Sequence, residues 1–170
     1  YIFLALPSQS IREVMKEYNN KDKNQNIIIA SKGIEIQSKL FLHDVIKAET
    51  NNSNISILSG PSFSNEVAQN LPTAVTLAAK RREVFDKVKS LFQNNNFRLY
   101  YSDDLIGCQL GGAIKNIYAI ASGITLGMNL GENAKSALIA RSFAEIIRLG
   151  NSLGANPQTL FGLSGLGDLI

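Results

Sequence analysis

The chain has 170 residues, 45% of them hydrophobic and 18% charged, with a net charge of +3. That balance supports a buried core and excludes a disordered or low-complexity chain. The small, scattered positive charge argues against nucleic-acid binding, and a single cysteine, Cys108, excludes an internal disulfide and fits a reducing compartment.

In chain order, the first hundred residues alternate between two periods. Short apolar runs at residues 1–6, 26–30, 55–58, 74–78 and 97–101 read as strands. Several are continuous, as in strands buried on both faces of a sheet. The first is expected to be a buried strand. Between them, residues 8–18 place Ile11, Val14 and Met15 on one helical face, with Ser8 or Ser10 as the cap. Residues 82–92 do the same with Val84, Phe85, Val88, Leu91 and Phe92, and Lys80, Arg81 and Arg82 read as a solvated helix start. Strand–helix alternation predicts a parallel, doubly wound α/β sheet.

After Asp103 the strands stop. Helices are expected at about 104–123 and 132–149, with Gly150 as a C-cap, and a short one opening at Asn156-Pro157. The domain reading is therefore α/β over residues 1–106 and all-α over 107–170. From 105 to 131 the only charge is Lys115. That length matches a bilayer, but a central charge costs roughly 2.5–3.5 kcal/mol there, so a buried helix is expected and no membrane segment. The chain opens without Met or a basic leader and stops at Gly167-Asp168-Leu169-Ile170 within an apolar pattern, so a fragment without a signal peptide is expected.

Four local patterns carry chemistry. In Gly111-Gly112-Ala113-Ile114-Lys115-Asn116 a lone lysine sits among apolar and small residues. Burial makes an ammonium give up its proton more readily, which suits general-acid work, although a lysine snorkelling to the surface fits the same string. The two glycines allow another backbone or a ligand to approach. Ser31-Lys32-Gly33 puts a lysine at the carboxyl end of a strand, where open parallel sheets bind ligands. Ser59-Gly60-Pro61-Ser62-Phe63 lies at another strand end, with Ser62 placed to cap the following helix. Finally, Gly162 to Asp168 is glycine-rich and ends on a carboxylate that either accepts from a polyol, holds the Lys115 ammonium, or caps a helix. No G-x-G-x-x-G phosphate loop follows a strand and opens a helix.

Together these strings resemble the bacterial-type NAD(P)-dependent glycerol-3-phosphate dehydrogenases over essentially the whole chain. The match runs through Leu6-Pro7-Ser8, Ser31-Lys32-Gly33-Ile34-Glu35, Gly60-Pro61-Ser62-Phe63, Leu71-Pro72-Thr73-Ala74-Val75 and Leu110 to Asn116. It continues through Asn133-Ala134-Lys135, Arg148-Leu149-Gly150, Leu153-Gly154-Ala155 and Gly162 to Asp168. The resemblance implies a Rossmann-like sheet domain followed by a helical domain. It implies interconversion of dihydroxyacetone phosphate and glycerol 3-phosphate with NAD or NADP, in the cytoplasm, by a homodimer that feeds phospholipid synthesis. Lys115 would be the catalytic lysine, and Lys32 would touch substrate and cofactor. Gly60, Ser62, Asn116 and Asp168 would bind substrate, and Ser64 cofactor. Gln109 stands where the family commonly has glutamate, and Ser31 where it often has threonine.

The family's glycine-rich dinucleotide loop would precede Tyr1, and its phosphate-gripping Ser-Arg-Asn stretch would follow Ile170. These 170 residues alone are therefore expected to be inactive. Hydroxyacid dehydrogenases and ketopantoate reductases share the architecture and form one alternative. An inactive truncated relic forms another.

Overall fold

A computed structural model describes residues 1–18, 25–92 and 95–169, with the side chains of 168 and 169 outside the description. Its described residues form one five-stranded sheet, in the order β1-β2-β3-β4-β5. The strands are β1 (Ile2–Leu4), β2 (Ile27–Ile29), β3 (Ile55–Ser59), β4 (Thr73–Ala79) and β5 (Phe97–Ser102). A 3-10 turn (Ser8–Ser10), α1 (Ile11–Glu17) and α2 (Leu42–Thr50) follow β1 and β2, and α3 (Ser64–Ala68) and α4 (Arg82–Lys89) follow β3 and β4. Then come α5 (Leu105–Gly127), α6 (Gly131–Leu153), α7 (Pro157–Phe161) and α8 (Leu166–Leu169).

The α/β-then-α architecture agrees with the expectation, and one strand pairing departs from it. β1, β2 and β3 are parallel, and β4 pairs parallel with β5, but β3 and β4 are antiparallel. The cause lies in α3, which buries none of its residues. A helix that does not pack back along the sheet cannot carry the chain to its starting edge. The chain therefore re-enters from the end where β3 stopped.

Core packing explains the other elements. Ile11 and Met15 of α1 and Leu42, Val45 and Ile46 of α2 cover one face, against Ile27, Ile29 and Ile57. Phe85, Val84 and Val88 of α4 cover the opposite face, against Ile28, Val75, Leu77 and Leu99. β2 is buried on both sides, as its Ile-Ile-Ile run predicts. Among the described residues β1 pairs with β2, where Leu4 is buried, Ile2 half-buried and Phe3 43% exposed. Arg82 does start α4 and lies over the rings of Phe85 and Tyr101, 4.8 and 4.7 Å from their centroids.

Local end signals differ from the sequence expectation in three places. Ser10 precedes α1 but makes no side-chain cap, because a 3-10 turn leads in. Ser62 does not cap α3, whose N-cap position is Phe63. Gly150 lies inside α6, and Gly154, with φ of 80°, ends that helix instead. Asn156 caps α7 through Gln158 N–H, with Pro157 at the first position as expected.

α5 links the two parts. Leu105 and Cys108 in its first turn join the sheet core, and Leu110 joins a third cluster with Ile146, Ala155 and Leu160. Asp104 caps it: Oδ1 accepts from Gly107 N at 2.8 Å, while Oδ2 accepts from Asn156 N, also at 2.8 Å. No helix among the described residues is long and apolar enough to cross a membrane.

Candidate functional site

The parallel pair β2 and β3 opens its carboxyl ends toward α5. Lys32 lies three residues past β2, and Gly60 directly follows β3. The Lys32 ammonium donates to the Gly60 carbonyl oxygen at 3.3 Å, and Ser62 Oγ donates to the same oxygen at 3.2 Å. Gly60 has φ of 144°, and a Cβ there would lie 3.0 Å from Val75 Cα, so both conformation and space require glycine.

α5 closes on this corner through its glycine pair. A Cβ on Gly112 would meet Ser59 Oγ at 3.1 Å and Lys32 Cγ at 3.3 Å. A Cβ on Gly111 would lie 1.9 Å from the Ser164 carbonyl oxygen. The pair thus admits the Lys32 stem on one side and the glycine-rich 162–167 backbone on the other. Lys115 follows Gly112 by three residues, near one turn, and is half-buried.

The other expected site residues are more scattered. Asn116 is exposed beside Lys115, and Ser64 is exposed at the first residue of α3. Asp168 lies in α8, whose neighbour Gly165 packs on the Leu160 carbonyl. The Asp168 side chain, and with it the expected link to Lys115, lies outside the described residues.

Sequence reasoning did not single out Ser59 by itself, nor Gln9 or His43. Ser59 is 4% exposed, and its hydroxyl has no hydrogen-bond partner among the described residues, directly below Gly112. Its signal was position, one residue before Gly60. Gln9 and the Arg12–Glu35 ion pair hold the segment that carries Lys32. Hydrogen bonds from Arg12, then from Ser38, hold the Glu35 carboxyl down at about 2. Gln109 reaches from α5 to His43 on α2, with Nε2 2.7 Å from His43 Nδ1. Burial is the largest influence on His43 and lowers its pKa. Burial also pushes the Cys108 thiol up to about 11, beside Ser164 Oγ at 3.4 Å.

A cleft of about 660 Å³ opens next to this corner, between β4–β5 and the 156–164 segment. Ala74, Thr76, Tyr100, Ser102 and Ser164 are among its lining residues. Thr76 pairs with Ser59 across the sheet, so the cleft borders the Lys32–Gly60 corner without including either lysine.

An ammonium, a backbone carbonyl and a hydroxyl converge at the carboxyl ends of two parallel strands, where open parallel sheets bind their ligands. No cluster of metal-ligating side chains occurs among the described residues.

Comparison with known proteins identifies the family. Residues 1–85 match the profile of the NAD-dependent glycerol-3-phosphate dehydrogenase N-terminus, and residues 104–170 that of its C-terminus. A glycerol-3-phosphate dehydrogenase [NAD(P)+] from Erythrobacter litoralis is 46% identical over 169 residues, 99% of this chain and 51% of that protein. One from Clostridium acetobutylicum is 43% identical over 171 residues, covering 100% of this chain and 52% of that protein. The crystal structure of the Coxiella burnetii glycerol-3-phosphate dehydrogenase superposes with a TM-score of 0.91 at 40% identity, over 99% of this chain and 52% of that one. The chain spans about half the length of the curated relatives it matches. With half of its residues matching the N-terminal profile and most of the rest the C-terminal one, the chain belongs to the NAD-dependent glycerol-3-phosphate dehydrogenase family.

Proposed function

We propose that this chain forms part of an oxidoreductase that interconverts dihydroxyacetone phosphate and glycerol 3-phosphate with NAD or NADP. The observation that carries the reading is the meeting of Lys32, Gly60 and Gly112, one turn before Lys115. Two strand ends and one helix there supply Lys32, Gly60 and Ser62, which the family resemblance assigns to substrate, and Lys115, which it assigns to catalysis.

In this reading the nicotinamide, when bound, supplies or accepts the hydride. Lys115 moves the proton. In the reductive direction its ammonium protonates the substrate carbonyl oxygen as C2 becomes tetrahedral. In the oxidative direction its free amine takes the C2 hydroxyl proton. A cation placed beforehand at that oxygen also stabilises the developing alkoxide. Lys32 sets its positive charge at the junction of substrate and cofactor. Gly60 and Ser62 line the substrate side, with Asn116 beside the proton donor, and Ser64 faces the cofactor. Asp168 binds a substrate hydroxyl and orients Lys115. The sheet part (residues 1–106) presents the cofactor, and the helical part (107–170) the proton donor. The family resemblance further supports a cytoplasmic homodimer that supplies glycerol 3-phosphate to phospholipid synthesis.

The test is oxidation of NADH and NADPH by the whole protein with dihydroxyacetone phosphate, beside Lys115→Ala. The parent turns over, and the variant loses at least about 100-fold in kcat, the range for a positioned general acid. A folded parent that is inactive with this substrate, but active with a hydroxyacid or ketopantoate pair, overturns the reading.

A further inference from the structure

Lys32 stands on a segment with little regular structure. Residues 30–41 contain one isolated bridge, between Ile34 and Phe41. A half-buried ammonium on such a segment keeps its place only if other contacts hold the backbone. Those contacts come from one stretch, residues 4–12.

Ser31 Oγ accepts from Leu6 N at 2.9 Å and donates to Leu4 O at 3.2 Å. Gly33 has φ of 140°, and a Cβ there would sit 2.6 Å from Ser8 Oγ, so the segment lies flat against the 3-10 turn. Gln9 then uses both ends of its amide. Nε2 donates to Ile34 O at 2.9 Å, and Oε1 accepts from Ile36 N at 2.9 Å. The side chain imitates a neighbouring strand across the two residues that flank Glu35. Arg12 finishes the clamp, donating from Nε and Nη2 to the two Glu35 oxygens at 2.8 and 2.7 Å and from Nη1 to Glu49. Glu35, 5% exposed, accepts from Ser38 as well.

We infer that Gln9, backed by the Arg12–Glu35 pair, is a positioning residue that holds Lys32 in the orientation needed for substrate and cofactor. The inference rests on the reading of Lys32 in the proposed function. The amide chemistry makes it specific. A carboxylate of the same shape has no N–H for Ile34 O and sets oxygen against oxygen. Glutamate at position 9 is therefore no substitute, despite equal volume. The proton carrier, Lys115, is on a different element, so the loss falls on binding more than on chemistry.

The experiment uses the whole protein with Gln9→Glu and with Gln9→Met, the second keeping length without hydrogen bonds. Phe85→Leu, in the core on the opposite face, serves as a control of reduced stability. KM for dihydroxyacetone phosphate and for NAD(P)H is expected to rise about tenfold in both Gln9 variants, with kcat changed less than about twofold, as for lost ground-state anchoring. Phe85→Leu lowers the melting temperature and leaves both KM values unchanged. In parallel, acylation of Lys32 by a limiting amine-reactive ester is read by mass spectrometry against Lys80, and the Gln9 variants raise the Lys32 ratio.

KM values and Lys32 reactivity equal to the parent's in a folded Gln9→Glu or Gln9→Met protein overturn the inference. An inactive parent sinks the proposed function instead, and the acylation ratio then still decides whether Gln9 holds Lys32.

Discussion

Gly111 lies so close to Ser164 that a single methyl group on it would stand 1.9 Å from the Ser164 carbonyl oxygen. The obstacle is backbone, which cannot rotate away. Gly111→Ala should therefore lower unfolding free energy by about 1–3 kcal/mol or more, as overpacked sites do. Chemical denaturation of parent and variant checks this through the midpoint. An unchanged midpoint means that the 162–167 segment does not pack on α5 in solution.

The neighbouring glycine predicts a different phenotype. At Gly112 the obstructing atoms are the Ser59 hydroxyl and the flexible stem of Lys32. Gly112→Ala should cost less stability than Gly111→Ala and more activity in the whole protein, since the alanine methyl displaces Lys32. Turnover and melting temperature measured on both variants test the crossover. A parallel loss of both properties in both variants would refute it.

His43 and Gln109 predict a pH dependence whose sign follows from hydrogen-bond logic. His43 N donates to Gln109 Oε1, which turns Nε2 toward both Leu105 O and His43 Nδ1. Nδ1 must then be the acceptor, so the ring is neutral and carries its proton on Nε2, toward Asp44. Besides Gln109, the charged groups acting on the ring are Asp44, which favours protonation, and Lys80 and Lys47, which oppose it. Burial outweighs them, and the folded value lies below the ordinary 6.5. The unfolded chain binds the proton first, so stability is full above about 6.5 and falls as pH drops toward the folded value. Titration of the His43 ring by NMR should give a value under 6.5, and Gln109→Glu should raise it. A ring that titrates at or above the ordinary value contradicts the assigned tautomer.

Glu35 predicts an acid limb of its own. Its folded value of about 2 lies under the ordinary 4.5 because Arg12 and Ser38 donate to the carboxylate. A lowered carboxyl contributes stability above about 4.5 that is lost as pH falls from there toward 2. Glu35→Gln should flatten the stability profile over that interval. The same slope in parent and variant would place the acid transition elsewhere.

Cys108 should be chemically silent. Burial holds its thiol up at about 11, so the reactive thiolate is scarce at neutral pH. Iodoacetamide at pH 8 should label it slowly in the folded chain and quickly in denaturant. Fast labelling of the native chain would show that α5 lifts from Ser164.

Much of this was legible in the sequence because it depended on local pattern. The run Ile27-Ile28-Ile29 announces a strand covered on both faces, and Gly111-Gly112 announces close approach. The direction of β4 was not legible, because apolar strands read alike in either direction. It follows from α3, whose exposed residues leave it off the sheet. Helix ends were misplaced where a nearer candidate competed, as Gly150 did with Gly154. Polar partners far apart in sequence were least legible: Gln9 meets Ile34 and Ile36 after 25 and 27 residues, and Gln109 meets His43 across 66. A lone glutamine carries no periodicity, so only the folded arrangement reveals its role.

One carboxylate, that of Asp104, serves two chain segments, with Oδ1 on the first turn of α5 and Oδ2 on the backbone just before α7. Neither contact can be released without disturbing its twin. The start of α5 and the approach to α7, separated by 52 residues, therefore belong to a single opening event. In amide exchange, Gly107 and Asn156 should lose protection at one shared rate, like two doors hung on the same hinge post.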